Sequence, residues 1–238
     1  RLTICPFYFH KMMRLYISPL TAELELQQDK EKAPKMSAYM KGMFSYYGVS
    51  SVPRKVIYKK WKSKTESTLT EVYNWELIRE LWDMDQREYQ YIAIDWINSW
   101  PVSAYRVEDI EELRFLISNK SWWDTVDLIA SNYLGKYALK FPEIMDQVII
   151  DWQYEKSIWL HRSCLIYQLK HKNATNLERL SCLIGVYKSN KTFFIQKAIG
   201  WSLREVSKWN PEWVTEMVEN KRLTGLAKRE AMKYIPIK

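Results

Sequence analysis

Lys120-Ser-Trp-Trp-Asp-Thr125 has three counterparts in the chain: Arg87-Glu-Tyr-Gln-Tyr-Ile92, Lys156-Ser-Ile-Trp-Leu-His161 and Lys191-Thr-Phe-Phe-Ile-Gln196. Each begins with a basic residue and carries a large apolar or aromatic residue at its third position. The starts are 33 residues apart from 87 to 120, 36 from 120 to 156 and 35 from 156 to 191. A weaker fifth copy begins at Leu223. A period of this length, with two helices per unit, marks a stacked α-solenoid, because one helix pair cannot bury its apolar face alone. The third position (Tyr89, Trp122, Ile158, Phe193) is assigned to the core.

Positions four, seven, eight and eleven share another helical face, being three or four residues apart. That face collects Trp123, Asp127, Arg162, Lys197 and Trp201 from different units. A plain core face would not take Asp, Arg and Lys without neutralising each. Stacking should therefore line these residues along one surface. The basic first residues Arg87, Lys120, Lys156 and Lys191 would stand near helix N-termini, a combination suited to phosphate.

The rest of the chain agrees with an all-α fold. Twelve Trp and sixteen Tyr accompany only six Gly and eight Pro, which favours long helices over a turn-rich β protein. Pro53 opens a basic helix running through Lys64. Trp75 to Met84 and Arg87 to Trp100 read as helices, the second stopped by Pro101. Thr175 and Glu178 form an S/T-x-x-E capping box before a helix from Leu180 to Tyr187. Asn210-Pro211 is an N-cap followed by proline at the first helical position. The sequence predicts one α-solenoid domain over residues 1–238. Met12 and Met13 are candidate start residues.

A net charge of +8 points to a polyanionic partner, nucleic acid or an anionic membrane surface. Cys5, Cys164 and Cys182 have neither CxxC spacing nor a histidine pattern, so neither a zinc site nor a disulfide framework is expected. An intracellular, cytoplasmic location fits. No run approaches the roughly 18 apolar residues of a membrane span. GxSxG, Walker, GxGxxG and HExxH signatures are absent, and His10, His161 and His171 form no ligand set. Metal-dependent and nucleotide-dependent chemistry are set aside, and no cofactor is expected. What stands out is Trp123 with Asp127, an indole and a carboxylate one turn apart on one face.

Lys120 to Asp127 resembles the KSWWDxVD segment of AlkD-type bacterial alkylpurine DNA glycosylases, in the DNA alkylation repair enzyme family. Ile158-Trp-Leu-His-Arg162 is similar to their NIWLxR segment. Phe193-Phe-Ile-Gln-Lys-Ala-Ile-Gly-Trp-Ser-Leu-Arg-Glu205 matches nearly residue for residue. Ser37-Ala-Tyr-Met-Lys41, Ile78-Arg-Glu-Leu-Trp-Asp83 and Lys228-Arg-Glu-Ala231 complete the likeness, which runs from about Met36 to Tyr234. It implies a HEAT-like α-solenoid with a concave basic DNA-binding face.

The resemblance makes Asp127 the catalytic aspartate. It makes Trp123 and Trp201 the aromatics lying against the lesion's deoxyribose. Arg162 becomes a backbone-contacting arginine, and Tyr39 a residue near the N-terminal side of the site. Lys120, Lys156, Lys191, Lys197 and Arg204 are the further candidate DNA contacts. Some family branches lack the aspartate or the tryptophans; this chain keeps all of them. Gly42 stands where the family often has Asn, Ser163-Cys164 replaces small residues, and residues 1–30 show little that matches.

The implied activity is monofunctional hydrolysis of the N-glycosidic bond of cationic alkylated purines, such as 3-methyladenine and 7-methylguanine, in duplex DNA by a monomer. N3- or N7-alkylation already makes the base a good leaving group, so no general acid is needed. Positive charge develops at C1′ of the sugar, as in glycoside hydrolysis. An ionised Asp127 would stabilise it and orient a water, its pKa lowered by neighbouring basic residues. The two indoles would present their π faces. A non-catalytic DNA-binding solenoid and a protein-interaction scaffold are the competing readings.

Overall fold

The computed structural model describes residues 6–69 and 73–236, and these are all-α: they contain no strand, only an isolated bridge between Ser45 and Gln86. The chain divides into two compact units, residues 1–104 and 105–238.

The first unit contains α1 (Pro6–Leu26), α2 (Lys32–Tyr39), α3 (Ser51–Glu66), α4 (Trp75–Asp83) and α5 (Arg87–Ser99). Asn74 starts α4, its side chain accepting the Leu77 amide at 2.8 Å. α1 packs on α3 and α4, and α5 on both of those. Although residues 1–30 carry no recognisable motif, Leu20 and Leu24 are fully buried, and Thr21 hydrogen-bonds the Tyr89 hydroxyl at 2.7 Å. α1 is thus part of this core. Trp61 meets Trp96 edge to face at 4.9 Å. The loop before α3 is held by one carboxylate. Buried Glu88 accepts the amides of Tyr47, Gly48 and Val49 at 3.2, 2.9 and 3.0 Å.

The second unit contains α6 (Asp109–Ser118), α7 (Trp123–Ile129), α8 (Gly135–Lys140), α9 (Pro142–Tyr154), α10 (Ile158–Ile166), α11 (Leu177–Tyr187), α12 (Phe193–Ser207), α13 (Pro211–Asn220) and α14 (Gly225–Ala231). α10 contacts α7 and α12, and α12 contacts α14; α9, α11 and α13 are the return helices between them. The repeat is therefore physical in this unit: the copies at 120, 156 and 191 each open a helix that packs on the next.

Several local details differ from expectation. The cap of α11 is Asn176, which accepts the Arg179 amide at 2.9 Å; Thr175 instead donates to the Lys172 carbonyl. Asn210 caps α13 as expected, accepting from Trp213 at 3.3 Å. The third repeat position is not uniformly core. Tyr89 is fully buried, but Phe193, the first residue of α12, is 60% exposed. Arg87 is fully buried with its guanidinium 3.7 Å from the Phe44 ring centroid, a cation–π contact inside the core rather than a surface cation.

Two features position the site. α7 runs into α8 through a π-helical stretch, Ala130–Leu134. The widened turn leaves carbonyls short of their usual amides, and side chains supply donors: Ser131 to the Asp127 carbonyl at 2.6 Å, Asn132 to the Leu128 carbonyl at 2.7 Å. The second feature is the close approach of α12 and α14 at Gly200. A Cβ there would stand 2.4 Å from Cβ of Glu230 and 2.9 Å from the Ala227 carbonyl. Gly200→Ala should destabilise the protein by about 1–3 kcal/mol through overpacking. Gly185→Ala, facing only the flexible Lys221 ammonium at 3.4 Å, should be neutral or stabilising by up to about 1 kcal/mol. Urea unfolding of the two variants checks the contrast, and equal effects would contradict the packing described.

Candidate active site

Asp127 lies on α7, one turn after Trp123, and faces α10. Arg162 of α10 clasps it in a fork: Nε donates to Oδ1 at 2.7 Å and an Nη to Oδ2 at 2.8 Å. The remaining Nη donates to the carbonyl of Phe194, on α12, at 2.6 Å. Arg162 is 3% exposed, whereas the Asp127 side chain keeps 16% of its surface open. The carboxylate is therefore the solvent-facing partner, and the guanidinium is its buried anchor. Each carboxylate oxygen retains acceptor capacity beyond the bond it makes to Arg162.

The electrostatics differ from the sequence expectation. Burial pushes the Asp127 carboxyl above the ordinary aspartate range; the hydrogen bonds and charge of Arg162 pull it back, and Asp124 adds a small upward push. The desolvation of a nearly buried acid outweighs one cation, so the net direction is up rather than down.

Three rings from successive helix entrances pack together. Trp122 lies 5.5 Å from Trp159 and 5.3 Å from Phe194, and Trp159 lies 4.9 Å from Phe194, centroid to centroid. These rings lock the starts of α7, α10 and α12 and thereby fix where Asp127 and Arg162 meet. Trp123 and Trp201 are half-buried, on α7 and α12, both of which α10 touches.

The candidate cations separate into two groups. Lys197 donates to Glu230 of α14 at 2.7 Å, and Arg204 pairs with the other oxygen of the same carboxylate. Lys197 holds the Glu230 carboxyl below its ordinary value, aided by Arg204 and Lys233. Lys156 and Lys191 are exposed, two residues before α10 and α12; Lys120 is half-buried and adopts a left-handed backbone, φ 48°, before α7. The guanidinium of Arg162, a candidate DNA-backbone contact, is engaged by Asp127 and the Phe194 carbonyl. Tyr39 is 69% exposed in the first unit.

Glu230 had no assigned role in the sequence reading, although it stands in the Lys228-Arg-Glu-Ala231 match. Its partners lie 33 and 26 residues away, one repeat distant, so only the packed α12–α14 pair reveals it. Among the described residues no group of three His, Cys, Asp or Glu side chains could hold a metal ion. No helix among them is long and apolar enough to cross a membrane.

Comparison with known proteins gives the family. Residues 20–235 match the family model described as DNA alkylation repair enzyme. The chain belongs to the DNA alkylation repair enzyme family. Its fold is similar to a solved structure described as a predicted DNA alkylation repair enzyme from Enterococcus faecalis. The TM-score is 0.80 with 32% identity, over 89% of this chain and 98% of that one. No curated protein matches the chain. The match to the family model begins within α1 and takes in both units, so Asp127 and Arg162 lie within the matched region.

Arg162→Ala should strand the Asp127 carboxylate and the Phe194 carbonyl. A loss of about 3–5 kcal/mol is expected from breaking such a buried pair. Adding Asp127→Asn should recover part of that loss, because the uncompensated charge is gone. A double-mutant cycle by chemical denaturation measures this; strictly additive effects would show that the pair carries no coupling.

Proposed function

We propose that this member of the family is a monofunctional DNA glycosylase that hydrolyses the N-glycosidic bond of cationic alkylated purines in duplex DNA. The observation that carries the reading is a nearly buried, arginine-oriented carboxylate with one open edge, a helical turn from the half-buried indole of Trp123. Asp127 would stabilise positive charge developing at C1′ and hold the attacking water. Arg162 would act as a positioning residue, fixing both carboxylate oxygens and opposing their protonation. Trp123 and Trp201 would flank the sugar with their π faces.

Selectivity follows from the chemistry. A base already positive at N3 or N7 leaves without a general acid, and no acid is needed beside Asp127. Neutral lesions such as uracil would then be poor substrates. Lys120, Lys156 and Lys191 would meet phosphates at the helix entrances. Lys197 and Arg204, both tied to Glu230, would contribute a more neutral, rigid edge. We place the protein in the bacterial cytoplasm, acting as a monomer on duplex DNA without a metal or cofactor.

One observation favours the alternative of a non-catalytic DNA-binding protein: both Asp127 oxygens already accept from Arg162, as in a purely structural ion pair. Asp127→Asn separates the readings. A catalytic Asp127 predicts a folded variant that binds methylated duplex at least as well, since a negative charge facing phosphates is gone. It also predicts excision of 7-methylguanine slowed by at least about 10²-fold in single turnover. Wild-type-like excision with DNA saturated would overturn the assignment.

The pH profile follows from the raised carboxyl. Protonation removes the charge, so wild-type excision should fall as pH is lowered, beginning above the ordinary aspartate range. The residual activity of Asp127→Asn should lack this acid limb. Identical limbs in the two proteins would locate the titrating group elsewhere.

A further inference from the structure

Lys197, Trp201 and Arg204 share one face of α12, so a cation stands about one helical turn to either side of the indole. These flanks oppose the chemistry proposed for the site. A cationic purine held against Trp201, or positive charge growing at C1′, would be repelled by both. Asp127 offers no surplus against them, because the Arg162 guanidinium matches its charge. Glu205, the next acid along α12, is spent on Lys208 at 2.6 Å.

The missing charge comes from α14. Glu230 takes Lys197 on one carboxylate oxygen at 2.7 Å and Arg204 on the other. All three residues are half-buried, where charges are screened less than at an open surface. Lys197 foremost, with Arg204 and Lys233, keeps the Glu230 carboxyl below its ordinary range, so it is ionised at neutral pH. Gly200 stands between the two cations in α12 and has no side chain to hold α14 away. One acid thus reaches both flanks of Trp201 from a neighbouring helix.

We propose that Glu230 is a specificity-determining residue: it offsets one of the two positive charges flanking Trp201, so that the site accepts a cationic sugar and base. This role rests on the glycosylase reading of the site and supplies the charge which that chemistry needs. Glu230 acts through space and makes no contact with the DNA. A clasp that served only to pack α14 on α12 would be indifferent to the charge of what binds at Trp201, whereas an electrostatic role follows that charge.

The test uses the full-length protein and two duplexes, one with a pyrrolidine and one with a tetrahydrofuran in place of a single deoxyribose. The pyrrolidine is protonated and cationic; the tetrahydrofuran is neutral. Attraction to phosphates is common to both and cancels in the ratio of their affinities. Glu230→Gln adds one positive charge beside Trp201, Lys197→Gln removes one, and the double variant restores the wild-type charge with the Lys197–Glu230 ion pair gone. The preference for the cationic duplex should fall roughly fivefold in Glu230→Gln, rise by a similar factor in Lys197→Gln and return close to wild type in the double variant. Where Glu230→Gln fails to fold, Lys197→Gln and the double variant decide. Preferences that do not follow the charge would overturn the role, and so would a wild-type protein with no preference for the pyrrolidine duplex. Excision of 7-methylguanine, measured in parallel, keeps the two readings apart: product with ratios indifferent to charge removes the role of Glu230 and spares the glycosylase, and ratios in the expected order without product do the reverse.

Discussion

The guanidinium of Arg162 joins three successive repeats. It forks onto Asp127 of α7, is rooted in α10 and reaches the Phe194 carbonyl at the start of α12. A buried arginine cannot shed its charge, so its surroundings must supply acceptors in the right plane. Asp127 supplies two of them, and this requirement fixes the rotation of α7 against α10. The same contact orients the carboxylate that we propose for catalysis. Stability and site geometry therefore depend on one ion pair, and removing either partner alone leaves a charge with no counterpart.

Aromatic packing makes that geometry repeatable. Trp122, Trp159 and Phe194 meet at the entrances of the three helices, and large flat rings admit few alternative arrangements at such density. Farther along, Gly200 lets α14 come close enough for Glu230 to take both Lys197 and Arg204. That clasp ties α14 to α12. Two carboxylates thus serve the second unit differently. Asp127 is nearly buried and pushed toward protonation, while Glu230 is held ionised by the cations around it.

The first unit solves the same problem with other chemistry. Glu88 spends its carboxylate on three loop amides, and Arg87 places its charge over the Phe44 ring. Arg54 alone among these buried charges retains an unsatisfied donor, at the mouth of α3.

Periodicity and residue type determined a good deal without coordinates. Apolar residues at helical spacing, sparse glycine and proline, and the recurring basic-aromatic starts lead to stacked helix pairs, because each pair must bury its face on the next. The adjacency of Trp123 and Asp127 follows from one turn of helix, and Asn210-Pro211 announced its own cap. Contacts across repeats were another matter. That Arg162 anchors Asp127, that Glu230 gathers Lys197 and Arg204, and that Arg87 lies inward depend on how one helix is rotated against its neighbour. A chain order of types does not encode that angle, since exposed and buried cations read alike until packing assigns each its dielectric. The π-helical turn after Asp127 was equally hidden: no residue there forbids an ordinary helix, and the side-chain donors Ser131 and Asn132 reveal their part only beside the carbonyls they satisfy. Local sequence set the elements and their period, and tertiary packing decided which charges were neutralised and which were left to act.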